Sequence, residues 1–197
     1  MEVKRRTDNA RKAKAAADYL FPGEKWINVE DGIYLSSRRP VGKNSNYKDE
    51  LRDAQILRDL GSTVYLVPEN SRQSGRKYDA IVNGMNMEFK NMHGSSTRTL
   101  REHFLDSRGQ APNVFINLER SPLTRSQIME TLYGAINSID YTKKSINFTG
   151  GRIILKIKDR ENLVFLKVDD LKKHKKTGRR TSGWLAGRWA FNLTASL

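Results

Sequence analysis

The amino-acid sequence predicts a mixed α/β fold in which a central sheet is flanked by helices. From residue 47 onwards, segments with helical and strand periodicity occur in the order helix, three strands, helix, strand, and a further helix and hairpin come after them. The chain has 197 residues, of which 37% are hydrophobic. This composition is sufficient for a packed core and argues against general disorder.

The N-terminal segment is predicted to form a basic helix followed by a hairpin. A run rich in alanine predicts the helix over 7–20, with Thr7 or Asp8 as its N-cap. Asp31-Gly32 lies between two apolar runs, which is typical of a hairpin turn. A polar loop over 38–46 then separates this segment from the rest of the chain.

The main domain begins with an amphipathic helix whose apolar stripe is followed by a C-terminal glycine cap, Gly61. The stripe consists of Leu51, Ala54, Leu57 and Leu60. Later in the chain, Ser121-Pro122 marks the start of another helix. The helices of the domain are predicted over 47–60, 96–108 and 124–137, and its strands over 63–67, 78–82, 85–91, 114–118, 152–158 and 163–168.

Asn83-Gly84 predicts a two-residue hairpin turn, because such a turn requires positive φ at both positions and these two residues adopt it readily. The register that such a turn imposes places Asp79 directly opposite Glu88. Because side chains alternate across a strand, Asp79, Glu88 and Lys90 share one face, and the other face is apolar.

Two carboxylates that face each other in a sheet repel, unless a cation lies between them. Asp79 and Glu88 therefore indicate a site for a divalent cation bound by oxygen ligands. Glu50 supplies a third carboxylate, since its helical spacing places it on or beside the apolar stripe, whereas Asp49 and Asp53 are expected to point outward. The alternative is that these residues are solvent-facing and form surface ion pairs.

Glu50, Asp79 and Glu88-Phe89-Lys90, on a helix and two strands, resemble the signature of the PD-(D/E)xK nucleases. These have a restriction-endonuclease-like αβββαβ core with a mixed central sheet and flanking helices. Residues 47–118 are similar, more narrowly, to the C-terminal tRNase toxin domain of contact-dependent growth inhibition proteins of the CdiA type. The segments that carry this resemblance are 78–84, 88–90, 95–97 and 110–116.

The resemblance implies a metal-dependent endoribonuclease toxin that cleaves tRNA in target bacteria. Its catalytic residues would be Glu50, Asp79, Glu88 and Lys90. The three carboxylates would hold Mg²⁺ or another divalent cation such as Mn²⁺ or Zn²⁺. Further substrate contacts, to the RNA backbone, would come from Ser96, Thr97 and Gln110. For Ser96, helix capping is the alternative role.

The resemblance also implies partners and a place of action. The toxin would be delivered as part of a larger secreted or cell-surface protein and would act in the cytoplasm of the target cell. The producing cell would need a cognate immunity protein, expected to be acidic because the chain has a net charge of +14.

Composition narrows the classes of partner and divides the chain. The charge of +14 points to a polyanion, and the lack of cysteine excludes a disulfide scaffold and a zinc ribbon. No run of 18 apolar residues is present, so no membrane span is predicted. The expected segments are a basic N-terminal helix and hairpin (1–45), the domain that the resemblance implies to be a nuclease (46–170), and a basic aromatic tail (171–197). The predicted substrate-binding cations of the tail are Lys172, Lys173, Lys175, Arg179 and Arg180.

Three other functions are compatible with these patterns. A DNA endonuclease of the same fold would use the same carboxylates. A non-catalytic nucleic-acid-binding module would use only the positive charge. A metal-independent ribonuclease would use His103 as general base and would leave a 2′,3′-cyclic phosphate.

Overall fold

A computed structural model of the protein describes residues 2–39, 45–68, 78–139, 150–158 and 162–173. It divides into two compact units, of which unit 1 extends to Phe89 and unit 2 begins at Lys90. Both units contain helices and β-strands, and the strands include parallel and antiparallel pairs. The predicted mixed α/β class is therefore confirmed.

Unit 1 is built around strands that lie side by side in the order of the chain. Strands β2 and β3 are parallel and are joined by α2, which contacts both of them, so the three form a βαβ unit. The other neighbouring pairs are antiparallel. The elements are α1 (Glu2–Leu20), β1 (Trp26–Glu30), β2 (Ile33–Ser36), α2 (Ser45–Asp59), β3 (Val64–Leu66), β4 (Ala80–Val82) and β5 (Met85–Asn91), the last of which continues into unit 2.

The N-terminal segment is part of unit 1 rather than a separate body. Its predicted hairpin is present, since β1 and β2 pair across Asp31-Gly32, but β2 also pairs with β3. In addition, α1 contacts β3 and β4. The structure thus divides inside β5, and a parallel pairing through a crossover helix joins the N-terminal segment to the next strand of the sheet.

Helix α1 begins earlier than predicted. It starts at Glu2, so neither Thr7 nor Asp8 is its N-cap, and that prediction was wrong. The Thr7 hydroxyl instead donates to the carbonyl oxygen of Val3 at 3.0 Å, inside the helix. A threonine hydroxyl that bonds back to the preceding turn is compatible with a helix interior.

Helix α2 ends as predicted but buries a different face. Gly61 has a φ of +86°, and the Ser62 N–H donates to the Leu57 carbonyl at 3.1 Å, which closes the helix. Leu57 is fully buried, whereas Leu60 is 40% exposed and Asp53 is fully buried. The expectation that Asp53 points outward was therefore wrong, because α2 packs on β2 and β3 with a face that includes Asp53 and leaves Leu60 of the predicted stripe exposed.

The turn between β4 and β5 has the predicted geometry. Asn83 and Gly84 have φ values of +49° and +87°, as a two-residue hairpin turn with both φ values positive requires. The pairs Ala80 with Met87 and Val82 with Met85 confirm the predicted register along β4. The side chain of Met87 is fully buried, in agreement with the predicted apolar face.

Unit 2 packs helices on a second group of strands. Strands β6 and β7 are parallel, and β7 and β8 are antiparallel. Thr124 and Gln127 form a capping box, so they start the second helix of the unit in place of Ser121-Pro122. The elements after β5 are α3 (Thr97–Ser107), β6 (Asn113–Leu118), α4 (Arg125–Asn137), β7 (Arg152–Ile157), β8 (Val164–Lys167) and α5 (Val168–Lys173), a short helix where the strand end and the tail were predicted.

The predicted order of elements is confirmed from α2 to β6, which occur as helix, three strands, helix and strand. One core of unit 2 includes Leu100 and Phe104 from α3 and Leu132 from α4, all fully buried. Among the helices that the structure describes, none combines the length and the apolar character needed to cross a membrane.

Replacing Gly84 with alanine is expected to destabilise the protein by about 1–3 kcal/mol. The new Cβ would lie 3.2 Å from the carbonyl oxygen of Lys12 in α1, at a φ that disfavours alanine. The matched control is Gly134→Ala in α4, where a Cβ meets nothing within 4 Å; it should stabilise by roughly 0.5–1 kcal/mol. Urea unfolding of both variants measures the difference, and equal effects would contradict the prediction.

Candidate active site

The candidate carboxylates Glu50 and Asp79 lie in the segments that follow the carboxyl ends of two parallel strands. Glu50 is in the N-terminal half of α2, the crossover helix that follows β2. Asp79 comes directly before β4, which follows β3, and its carbonyl oxygen accepts the N–H of Val67, which comes directly after β3, at 3.0 Å. The carboxyl ends of parallel strands are where ligands bind in open α/β sheets.

Arg39 connects these two residues. Its Nη2 forms an ion pair with Glu50 Oε2, and its Nη1 donates to the carbonyl oxygens of Val67 and of Asp79, the latter at 3.2 Å. Arg39 is 4% exposed, and the side chain of Glu50 is 12% exposed. The prediction that Glu50 lies on or beside the buried stripe of its helix is confirmed, but its Arg39 partner was not foreseen.

Asp79 is held against β5 by its own side chain. Its Oδ2 accepts the backbone N–H of Phe89 at 2.8 Å, so its carboxylate lies beside the strand between Glu88 and Lys90. The Asp79 N–H donates to the carbonyl of Met87, the residue paired with Ala80. The one-to-one register therefore ends at Ala80, and the expectation that Asp79 lies in register directly opposite Glu88 needs correction.

Two further carboxylates of unit 1 are buried. Glu88 in β5 is 3% exposed, so it is not the solvent-facing residue of the surface alternative. Asp53 in α2 is fully buried, and sequence reasoning missed it. The available signal was spacing, because Asp53 precedes Leu57 by one helical turn and therefore shares its face. Burial of charged groups is costly, so these positions are candidates for function.

The residue types suit a hard divalent cation, but the arrangement differs from a preformed three-carboxylate centre. Within residues 2–39, 45–68, 78–139, 150–158 and 162–173, no group of three or more histidine and acidic side chains is placed to hold a metal ion. The Glu50 carboxylate faces a guanidinium, and one oxygen of Asp79 is bonded to the backbone. The structure does not therefore gather Glu50, Asp79 and Glu88 around one point.

Lys90 and His103 interact in unit 2. Burial lowers the pKa of His103 below its usual 6.5, and the positive charge of Lys90 lowers it further, while Asp106 and Glu102 act in the opposite direction. The Nδ1 atom of His103 is buried and has no hydrogen-bond partner in the described part of the chain. His103 is thus a neutral imidazole at neutral pH, and the charge of the predicted catalytic lysine contributes to this.

The predicted substrate-binding residues of α3 lie on the surface of unit 2. The Ser96 hydroxyl is the N-cap of α3 and accepts the N–H of Thr99 at 3.2 Å, so the capping alternative applies to it. Thr97, the first residue of α3, is exposed. Gln110 lies in the turn before β6 and is partly buried, and its N–H donates to the Ser107 carbonyl at 2.9 Å.

The basic tail lies mostly beyond the described residues. Lys172 and Lys173 end α5, but their side chains are not described, and Lys175, Arg179 and Arg180 are outside the described residues. Unit 1 presents other cations, because α1 carries a series of exposed basic side chains. These are Lys4, Arg5, Arg6, Arg11, Lys12 and Lys14.

A cleft of about 250 Å³ in unit 1 lies elsewhere, between the start of α1 and the end of α2. Its lining includes Arg6, Tyr34 and Arg58, and it contains none of the three candidate metal-binding carboxylates. Arg58 is already paired with Glu30 and Asp59. The cleft is therefore separate from the candidate site.

Comparison with known proteins gave a structural similarity. No protein-family model matches the chain, and no curated protein matches it. Among solved structures, the chain is similar to one described as the CdiA-CT/CdiI toxin and immunity complex from Burkholderia pseudomallei, with a TM-score of 0.45 and 20% sequence identity. The match covers 68% of this chain and 98% of that chain. At this TM-score, the similarity assigns neither a family nor a function.

Asp79→Ala should lower the free energy of unfolding by about 1–3 kcal/mol, because it leaves the N–H of Phe89 without its side-chain acceptor. Asp79→Asn keeps an amide oxygen at that position and should stay within about 1 kcal/mol of the wild type. Denaturant unfolding at pH 7 measures both. If the two variants were equally unstable, the hydrogen bond would not be the source of the effect.

The lowered pKa of His103 predicts a pH dependence of stability. The unfolded state binds a proton as the pH falls through about 6.5, whereas the folded state resists protonation, so the wild type loses stability on acidification. His103→Gln removes this contribution. Its free energy of unfolding should therefore fall less than that of the wild type between pH 8 and pH 5.5, and parallel curves would contradict the prediction.

Proposed function

We propose that this protein is a metal-dependent endonuclease, and specifically a toxin that cleaves tRNA in target bacteria. The observation that carries the nuclease part is the bond from the Phe89 N–H to Asp79 Oδ2. This bond holds one predicted carboxylate against the Glu88-Phe89-Lys90 strand, while Arg39 links the same residue to Glu50. Arg39, Glu50, Asp79 and Phe89, which are remote from one another in sequence, are thus connected by these contacts inside unit 1.

Each residue has a proposed role. Glu50, Asp79 and Glu88 would hold Mg²⁺, Mn²⁺ or Zn²⁺, and such an ion polarises a phosphate and lowers the pKa of bound water. Lys90, two residues beyond Glu88 on β5, would offset the negative charge that develops on the phosphate. The buried position of Glu88 supports this assignment, because burying a carboxylate is costly and buried carboxylates are frequent at functional sites.

The choice of RNA and the toxin role rest on the sequence resemblance. The exposed cations of α1 support a polyanionic substrate, and so does the net charge of +14. Thr97, Gln110 and the tail cations stay in the proposal as further substrate contacts. The proposal includes delivery from a larger secreted or cell-surface protein into the cytoplasm of the target cell, and an acidic immunity protein in the producing cell.

Cleavage assays test the proposal. The protein is incubated with tRNA, total RNA and plasmid DNA, each in Mg²⁺ and in EDTA. We expect cleavage of tRNA only with metal, with 3′-hydroxyl and 5′-phosphate ends. Glu88→Gln should lower the rate at least about 100-fold, and Glu130→Gln on the exposed side of α4 should not change it.

Each other result selects a different function. Metal-dependent cutting of the plasmid would indicate a DNA endonuclease of the same fold. Binding of nucleic acid without cleavage would indicate a non-catalytic module.

A metal-independent ribonuclease is a second candidate, favoured by the lowered pKa of His103, which burial and the Lys90 charge produce and which leaves a neutral imidazole at neutral pH. A neutral imidazole can accept the proton of a 2′-hydroxyl, which then attacks phosphorus and leaves a 2′,3′-cyclic phosphate. Full activity in EDTA, cyclic-phosphate ends and loss of activity in His103→Gln would select this candidate over the metal-dependent one.

A further inference from the structure

The buried guanidinium of Arg39 occupies the space between two residues of the candidate site. It pairs with the Glu50 carboxylate and donates to the carbonyl oxygen of Asp79 at 3.2 Å. A third oxygen comes from the carbonyl of Val67. Its Nε is buried without a hydrogen-bond partner in the part of the chain that the structure describes, so the side chain is positioned by its terminal nitrogens alone.

The atoms that Arg39 contacts are the kind that a hard divalent cation uses. Carboxylate and backbone carbonyl oxygens are the usual protein ligands of Mg²⁺ and Ca²⁺. The guanidinium brings one positive charge to these oxygens, and it repels a second cation approaching Glu50. Among the described residues, no group of three or more histidine and acidic side chains is placed to hold a metal ion, and Glu50 faces this guanidinium instead.

We propose that Arg39 is an internal cation that competes with a divalent metal ion for Glu50. A metal ion binds this carboxylate only when the guanidinium has left it. The inference rests on the proposed function for the metal, and it assigns a role to a residue of the N-terminal segment. The apparent metal affinity is then reduced by the fraction of molecules in which Glu50 is available.

Measurement of Mn²⁺ binding tests the competition directly. Binding is followed by electron paramagnetic resonance of free Mn²⁺, together with the melting temperature in Mn²⁺ and in EDTA. Arg39→Met removes the charge and keeps much of the volume. It should bind Mn²⁺ at least about tenfold more tightly than the wild type, and Mn²⁺ should raise its melting temperature by more than it raises that of the wild type.

The matched control is Arg38→Met. Arg38 is adjacent in sequence, but it is 63% exposed and pairs with Glu24, which also accepts from Ser36. This variant should bind Mn²⁺ as the wild type does. The gain in Mn²⁺ affinity of Arg39→Met should also disappear when Glu50→Gln is added, since the carboxylate for which Arg39 and the metal ion compete is then absent.

Several outcomes overturn the inference. These are equal or weaker Mn²⁺ binding in Arg39→Met, a gain that survives Glu50→Gln, and an equal gain in Arg38→Met. If Arg39→Met is unfolded in EDTA, Mn²⁺ must restore its folded circular-dichroism spectrum, and failure to do so also overturns it. Tighter Mn²⁺ binding by Arg39→Met without any cleavage would support this inference and reject the nuclease function. Metal-dependent cleavage with equal Mn²⁺ binding by Arg39→Met and the wild type would support the nuclease function and reject this inference.

Discussion

The turn at Asn83 and Gly84 is the constraint on which the candidate site depends. Positive φ at both residues fixes the pairing of β4 with β5 and places Asp79 at the end of the ladder, within reach of the Phe89 N–H. A slip of one residue would move every side chain of β5 to the opposite face, Glu88 included. The same turn meets α1, because the Lys12 carbonyl lies where a Cβ on Gly84 would be crowded.

Local patterns were sufficient to predict most elements of the fold. Helical spacing with a glycine cap predicted α2, and turn residues predicted the hairpins β1–β2 and β4–β5, since these signals lie within a few residues of each other. The parallel pairing of β2 with β3 had no such signal. Its two strands are short and separated by a whole helix, so only tertiary packing brings them together.

The candidate site was predicted only in part, because local spacing carries no information on tertiary contacts. Helical spacing indicated the burial of Glu50, but it was applied wrongly to Asp53, which was expected to point outward although it precedes the buried Leu57 by one helical turn. The pairing at Asp79 departs from the predicted register because its short carboxylate side chain competes with backbone carbonyl groups for N–H donors. The rules of strand pairing do not include this competition. Arg39 was not predicted because an ion pair between a loop and a helix depends on how the chain folds back.

In each unit, the strands lie side by side in the order in which they occur along the chain. Each strand therefore pairs with a neighbour in sequence. The antiparallel pairs β1–β2 and β4–β5 close across two-residue turns, which favours their rapid formation, whereas the parallel pairs β2–β3 and β6–β7 must each close across a helix. The contact of Lys12 with Gly84 spans a longer stretch of sequence, so α1 can complete it only after the turn at residues 83–84 has been synthesised.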